Sequence, residues 1–90
     1  TRSPVVELSR AVAVAEAGDP ESGLALLEGL PLEDYHYLHA ARADLLGRLG
    51  RDDDARAAYG RALELVHDPG ERRLLERRRA LLTDPTASEE

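Results

Sequence analysis

Apolar residues along this chain recur at helical spacing, and no stretch alternates in the manner of a strand. The clearest stretch carries Ala55, Ala58, Tyr59, Ala62, Leu63 and Val66 at i, i+3, i+4, i+7, i+8 and i+11. They form one wide stripe, with Arg56, Arg61 and Glu64 on the wet side. Before it, Leu38, Leu45, Leu46 and Leu49 share a face, and the small Ala41 and Ala43 allow a neighbouring helix to come close. Ser3-Pro4, Asp19-Pro20 and Asp68-Pro69 each set a capping side chain before a proline, which the first helical position tolerates because its N–H would have no partner there. Glu71 follows Asp68 at capping-box spacing, and Asp52, Asp53 and Asp54 place negative charge at the positive end of another helix. With stops at Gly18, Pro31, Gly50, Pro69 and Asp84-Pro85, the pattern predicts five helices over residues 4–17, 20–30, 33–49, 52–66 and 69–82. The tail 83–90 has no apolar periodicity and is expected to be flexible.

The chain also repeats itself. Setting Arg10-Ala11 over Arg42-Ala43 brings Gly18 onto Gly50, Leu27 onto Tyr59 and Leu30 onto Ala62, a constant offset of 32 residues. A period near ~34 is that of stacked helical hairpins, so residues 1–82 are expected to form one all-α domain of two antiparallel hairpins closed by a C-terminal capping helix. In the second unit Ala43 takes the small position of the first helix of the tetratricopeptide pattern, Leu46 the large one and Gly50 the turn. Ala55, Tyr59 and Ala62 then fill the packing positions of the second helix. Gly23, Leu27 and Leu30 hold those three places in the first unit, a looser match. All of these are packing residues, and such repeats make binding surfaces.

Composition narrows the picture further. A chain of 90 residues buries only about 60–65% of its unfolded surface, so the core is thin. Alanine and leucine make up a third of the residues, and all 12 basic residues are arginine. The missing types (Ile, Phe, Lys, Asn and others) are mostly those with AT-rich codons, a skew that reports base composition and not function. Absence of cysteine removes disulfides, thiol nucleophiles and zinc ribbons and fits a reducing cytoplasm. No apolar run approaches the roughly 20 residues needed to span a bilayer, which points to a soluble protein without membrane contact. The start without methionine, close to a helix, suggests a piece of a longer polypeptide.

Read in order, the stretches "SPVVELSRAVAVAE", "YHYLHAARADLLGRLGR", "ARAAYGRALEL" and "ERRLLERR" resemble the tetratricopeptide-type C-terminal extension of bacterial RNA polymerase sigma factors of the extracytoplasmic-function class. The resemblance covers Pro4 to about Leu82. It implies a regulatory domain joined to regions that bind core polymerase and promoter DNA, with protein partners: other sigma regions or core RNA polymerase. A net charge of −6 agrees, since phosphates would repel it and direct nucleic-acid binding is not expected. A free-standing adaptor that captures a peptide from an unrelated partner is the alternative, and an uncovered apolar face would also permit a homodimer.

Several side chains are candidates for contact. The inner face of each first helix commonly holds the ligand in tetratricopeptide proteins. Those positions are Tyr37, Ala40, Asp44, Gly47 and Arg48 in the second unit and Val5, Leu8, Val12, Ala15 and Glu16 in the first. Tyr37, Asp44 and Arg48 are the partner-binding candidates, while Val5, Leu8 and Val12 suit a face packed on another part of a larger protein. The last helix carries Arg72 and Arg79 on one side of its apolar stripe and Arg73 and Arg77 on the other. Residues 71–82 carry about +3 against −9 elsewhere. A split ridge without aromatics reads as a solvated face, and its best functional use is an acidic protein patch. On a helical wheel Arg10, Arg42 and Arg78 each fall within an apolar stripe, among Val6, Ala13, Val14 and Ala17, among Leu38, Leu45, Leu46 and Leu49, and among Leu74, Leu75, Leu81 and Leu82. Either their stems cover the core with guanidinium groups in water, or they pair with carboxylates, for example Arg78 with Asp44. His36 and His39 have only Glu33 or Asp34 as a nearby third donor, so a metal is not expected. Ser3, Ser9, Ser22 and Ser88 have no base beside them and no glycine-rich phosphate loop occurs, so neither enzymatic activity nor a cofactor is expected.

Overall fold

Both hairpins turn on the same glycine device. A computed structural model of the protein describes residues 3–82, so the tail 83–90 lies outside the described residues. In the first hairpin α1 (Pro4–Glu16) ends as Gly18 takes a φ of 112°. The Gly18 and Asp19 N–H groups then bond back to the carbonyls of Ala15 (3.0 Å) and Val14 (3.4 Å). Thirty-two residues later α3 (His36–Arg48) ends the same way, with Gly50 at a φ of 79° and the N–H groups of Gly50 and Arg51 on Gly47 (3.1 Å) and Leu46 (2.9 Å). These paired bonds satisfy carbonyls that a helix end leaves open, and only glycine adopts the required φ without strain. Each turn sends the chain straight into the partner helix, α2 (Pro20–Glu28) or α4 (Asp52–Leu65).

Starts follow the predicted caps in three helices. Ser3 Oγ accepts from the Val5 N–H (3.3 Å), Asp19 from Ser22 (3.1 Å), and Asp68 from Glu71 (2.8 Å) at the head of α5 (Pro69–Ala80). The third helix departs from expectation and begins at His36, three residues after Glu33. Glu33 and Asp34 form a turn instead, because Leu32 and Tyr35 on either side pack against the core and hold that segment.

Among the described residues the fold is all-helical, without strands. α1 packs on α2 and α3 on α4; α2 links the hairpins through α3, and α5 closes the array on α4. The core consists of Leu8, Ala11 and Ala15 from α1, Leu24 and Leu27 from α2, Leu38, Ala43, Leu45 and Leu46 from α3, Ala55, Ala58, Tyr59 and Ala62 from α4, with Val66 and Leu75. Its alanines let helix axes approach closely, most of all at Gly23, where the backbone of α1 leaves no room for a Cβ.

The apolar stripes drawn from sequence for α1 and α5 need correction. Arg10 does not lie among buried residues: Val6 is 60% exposed, Ala13 and Ala17 are exposed, and α1 buries Leu8, Ala11 and Ala15 instead. On α5 only Leu75 is buried, with Leu74 and Leu81 at 44% and 79% exposure. The reason is shared. Both helices end the described array, so among the described residues their outer stripes lack the neighbour that covers a stripe in the middle of a stack.

Candidate functional site

Three helices supply one concave face. Val5, Leu8, Ser9 and Val12 of α1 and Tyr37, Ala40, Ala41, Asp44 and Leu45 of α3 line a groove of about 540 Å³, with Tyr35 at one end and Arg78 of α5 at the other. A second depression of about 440 Å³ continues past Asp44 and Arg78 to Gly47, Arg48, Tyr59, Leu81 and Leu82. Periodicity explains the assembly. Residues of α1 and α3 that face the same way sit 32 apart in sequence, so repeated stacking aligns them as ribs of one surface.

Of the residues singled out in the sequence, Tyr37 and Asp44 line this groove with Val5, Leu8, Val12 and Ala40, and Arg48 stands at its far end. Arg48 reaches Glu16 of α1 at 2.8 Å and Asp44, one turn back on its own helix, at 3.0 Å. Both carboxylates favour its charged form and raise its pKa further, the hydrogen bond to Glu16 most. Glu16 and Arg48 occupy equivalent positions of the two units, so this pair joins the hairpins across the groove. That spacing was the available signal for Glu16 as partner.

Asp44 therefore meets Arg48, and no ion pair joins it to Arg78. Arg78 lies instead beside the hydroxyl of Tyr59. Burial raises the pKa of that phenol, the Asp44 charge adds to the effect, and Arg78 works against both. Arg42 does pair across helices, through Nε to Glu28 of α2 at 3.0 Å. Arg10 reaches only back to Glu7 on its own helix, at 3.9 Å. Ala43, Gly50, Ala55, Tyr59 and Ala62 hold packing or turn positions as the repeat pattern assigned them.

At the other end of the groove Glu71 of α5 receives two neighbours. His36 Nε2 lies 2.9 Å from one carboxylate oxygen, and the Tyr37 hydroxyl donates to the other. The rings of Tyr35, His36 and Tyr37 meet in a cluster, edge-on or tilted, with centroids 4.2–5.9 Å apart. Glu71 thus anchors the start of α5 to α3, a role beyond the capping-box spacing. His39 turns away, onto the Glu33 carbonyl at 2.6 Å, and among the described residues no group of three His, Cys, Asp or Glu side chains converges as a metal site.

The Tyr37 phenol has a raised pKa, first because it donates to Glu71 and then because a phenolate there would meet the Glu71 charge. A group whose pKa is raised by folding adds stability that is present below its unfolded value, near 10.0, and is lost as pH rises through the folded value. The melting temperature should therefore fall more steeply at alkaline pH than it does in Tyr37→Phe, which lacks the titrating phenol.

The arginines of α5 divide as the wheel predicted. Arg72 donates to the Val66 carbonyl at 3.2 Å and the Arg79 guanidinium lies over Gly60, both toward α4, although these two are exposed like Arg73 and Arg77.

An elongated all-α array of two hairpins and a closing helix, with a concave, mainly apolar groove, is the class of protein that fold and site define. A protein of Rhizobium meliloti (strain 1021), itself described as uncharacterized, is 46% identical over 71 residues. The match takes in 77% of this chain, which spans only 17% of that relative's length. No family model matches the chain. No solved structure matches it either. No helix among the described residues is long and apolar enough to cross a membrane.

Proposed function

We propose that this domain is a non-catalytic docking module, the C-terminal regulatory extension of an extracytoplasmic-function sigma factor. It acts by seating another sigma region, or a segment of core RNA polymerase, on its concave face. One observation carries the reading: the groove between α1 and α3 is open, apolar along its floor, and has hydrogen-bonding side chains at both ends. Apolar surface of this kind is stabilised by cover, and the polar ends would fix the register of what covers it. The four stretches that resemble the sigma extension supply the biological setting, and a bacterial relative in which the segment is 17% of a longer chain is in keeping with it. The function places it in the cytoplasm, beside the polymerase.

Calorimetric titration of the domain with the rest of its parent chain, and separately with core polymerase, tests the proposal. Saturable binding to one of them is expected, weakened roughly tenfold by Asp44→Ala or Tyr37→Ala; because Tyr37→Ala also releases Glu71 of α5, circular dichroism and the melting temperature of that variant are measured beside its affinity. Arg77→Ala should leave that affinity within about twofold unless the basic flank of α5 also meets an acidic patch, in which case its effect disappears at high salt. Binding to neither partner would overturn the sigma-linked function and leave a peptide adaptor.

A further inference from the structure

The last helix reaches the groove at two points. In its first turn Glu71 holds the Tyr37 hydroxyl and His36 Nε2 of α3, and two turns on Arg78 stands with Asp44 between the two depressions. A carboxylate only accepts, so both neighbours donate to Glu71, and α5 fixes where the Tyr37 ring lies. The helix that does this is lightly held. α5 packs on α4 less extensively than any other two consecutive helices pack on each other, and it buries Leu75 alone. Beyond Glu71, its ties to the body are few: Arg72 on the Val66 carbonyl, Leu82 over Gly47 of α3, and Arg56 of α4 on the Leu82 carbonyl.

The connection into α5 differs from the two glycine turns. Val66 is 1% exposed and fixed to the body, but Val66 and Asp68 are extended, with ψ of 141° and 124°, and His67 to Gly70 are exposed. A short extended connector can absorb a change of angle that a bonded turn resists. The helix is also weak by itself. It has 12 residues, with like charges on Arg73 and Arg77 one turn apart, and a helix of that length is marginal in water without its contacts.

We infer that α5 is a hinged strap that sets the shape of the groove, pivoting at His67 and Asp68, with Glu71 as the positioning residue that couples it to Tyr37. The inference rests on the groove being the docking surface proposed above. With α5 docked, Tyr37 is held at one end and Arg78 divides the surface in two. With α5 released, Tyr37 is free and the two depressions join along α3. An occupant that touches Tyr37 and Arg78 finds both in place only while α5 is docked. Occupancy therefore holds α5 down, and release of α5 weakens the groove by the same factor.

Hydrogen exchange and NMR on the intact chain test the strap without any partner. The amides of α5 should exchange through a local opening that leaves α3 and α4 protected, and Glu71→Ala should quicken α5 alone, by roughly tenfold. Glu71→Gln keeps an oxygen for the Tyr37 hydroxyl and should restore part of that protection. The reciprocal test uses Leu75, which lines neither depression. Leu75→Ala should move the Tyr37 ring resonances toward those of the Glu71→Ala chain and leave the methyl resonances of Leu24 and Leu27 on α2 in place. Exchange of α5 only through global unfolding, or Tyr37 resonances unmoved by Leu75→Ala, overturns the inference. Such a failure leaves the docking function standing, and a groove that binds neither sigma regions nor polymerase leaves the motion of α5 standing.

Discussion

Leu46→Ala is expected to lower stability by about 3 kcal/mol and the melting temperature by roughly 12–24 °C. Leu46 is fully buried on α3, the helix that packs most extensively in the array, against α4. Truncation there loses the transfer energy of the side chain and leaves a cavity between helices fixed by two hairpin turns, which limits collapse. A small domain has about 5–15 kcal/mol in all, so a measurable unfolded fraction should appear at physiological temperature. Leu74→Ala is the matched control. The residue type is the same, but at 44% exposure its loss should cost less than about 1 kcal/mol by urea denaturation. Equal losses at the two sites would mean that the packing described for α3 and α4 is not what holds the domain.

Gly23→Ala should destabilise as well, against the propensity scale. Within a helix, alanine is favoured over glycine by about 1 kcal/mol. Here a Cβ on residue 23 would stand 2.7 Å from the Ala11 carbonyl oxygen and 2.9 Å from the Ala15 Cβ. One obstacle is backbone and the other is fixed to it, so neither can swing aside, and α1 must move off α2. Overpacking of this kind costs about 1–3 kcal/mol, enough to outweigh the propensity gain. Ala55, at the equivalent place in the second hairpin, is fully buried with its Cβ, so that hairpin already has the space the first one lacks. Chemical denaturation of Gly23→Ala gives the sign directly. A gain in stability would mean that α1 and α2 are not held at this close crossing.

Much of the architecture was legible because the chain states it twice. Gly18 and Gly50 mark the same turn at a fixed offset, and three Xaa-Pro caps start helices where a side chain can accept the first free N–H groups. Local rules of this type involve residues within one turn of each other, so sequence alone carries them. Helix ends were placed within two residues, but the start of α3 was not. Its position depends on Leu32 and Tyr35 packing on a core that the local sequence does not contain.

The groove was half legible. Repeat register brought Tyr37, Asp44, Val5 and Val12 to one face, while the partners of the charged residues were left open. A pair of Arg78 with Asp44 was one of two open readings, and Asp44 instead meets Arg48, one helical turn away, which in turn reaches Glu16 of α1. Glu71 was assigned only its cap spacing, although its carboxylate ties α5 to His36 and Tyr37.

The sequence by itself determined five helices, their turns and their pairing into hairpins, because propensity, capping and apolar period act over a few residues and agree. Only the tertiary structure decided which apolar stripes are covered. Arg10 and Arg42 have nearly the same sequence surroundings, but among the described residues a neighbouring helix packs beside one and not beside the other. Burial is a property of neighbours, and the ends of a stack lack one that the middle has.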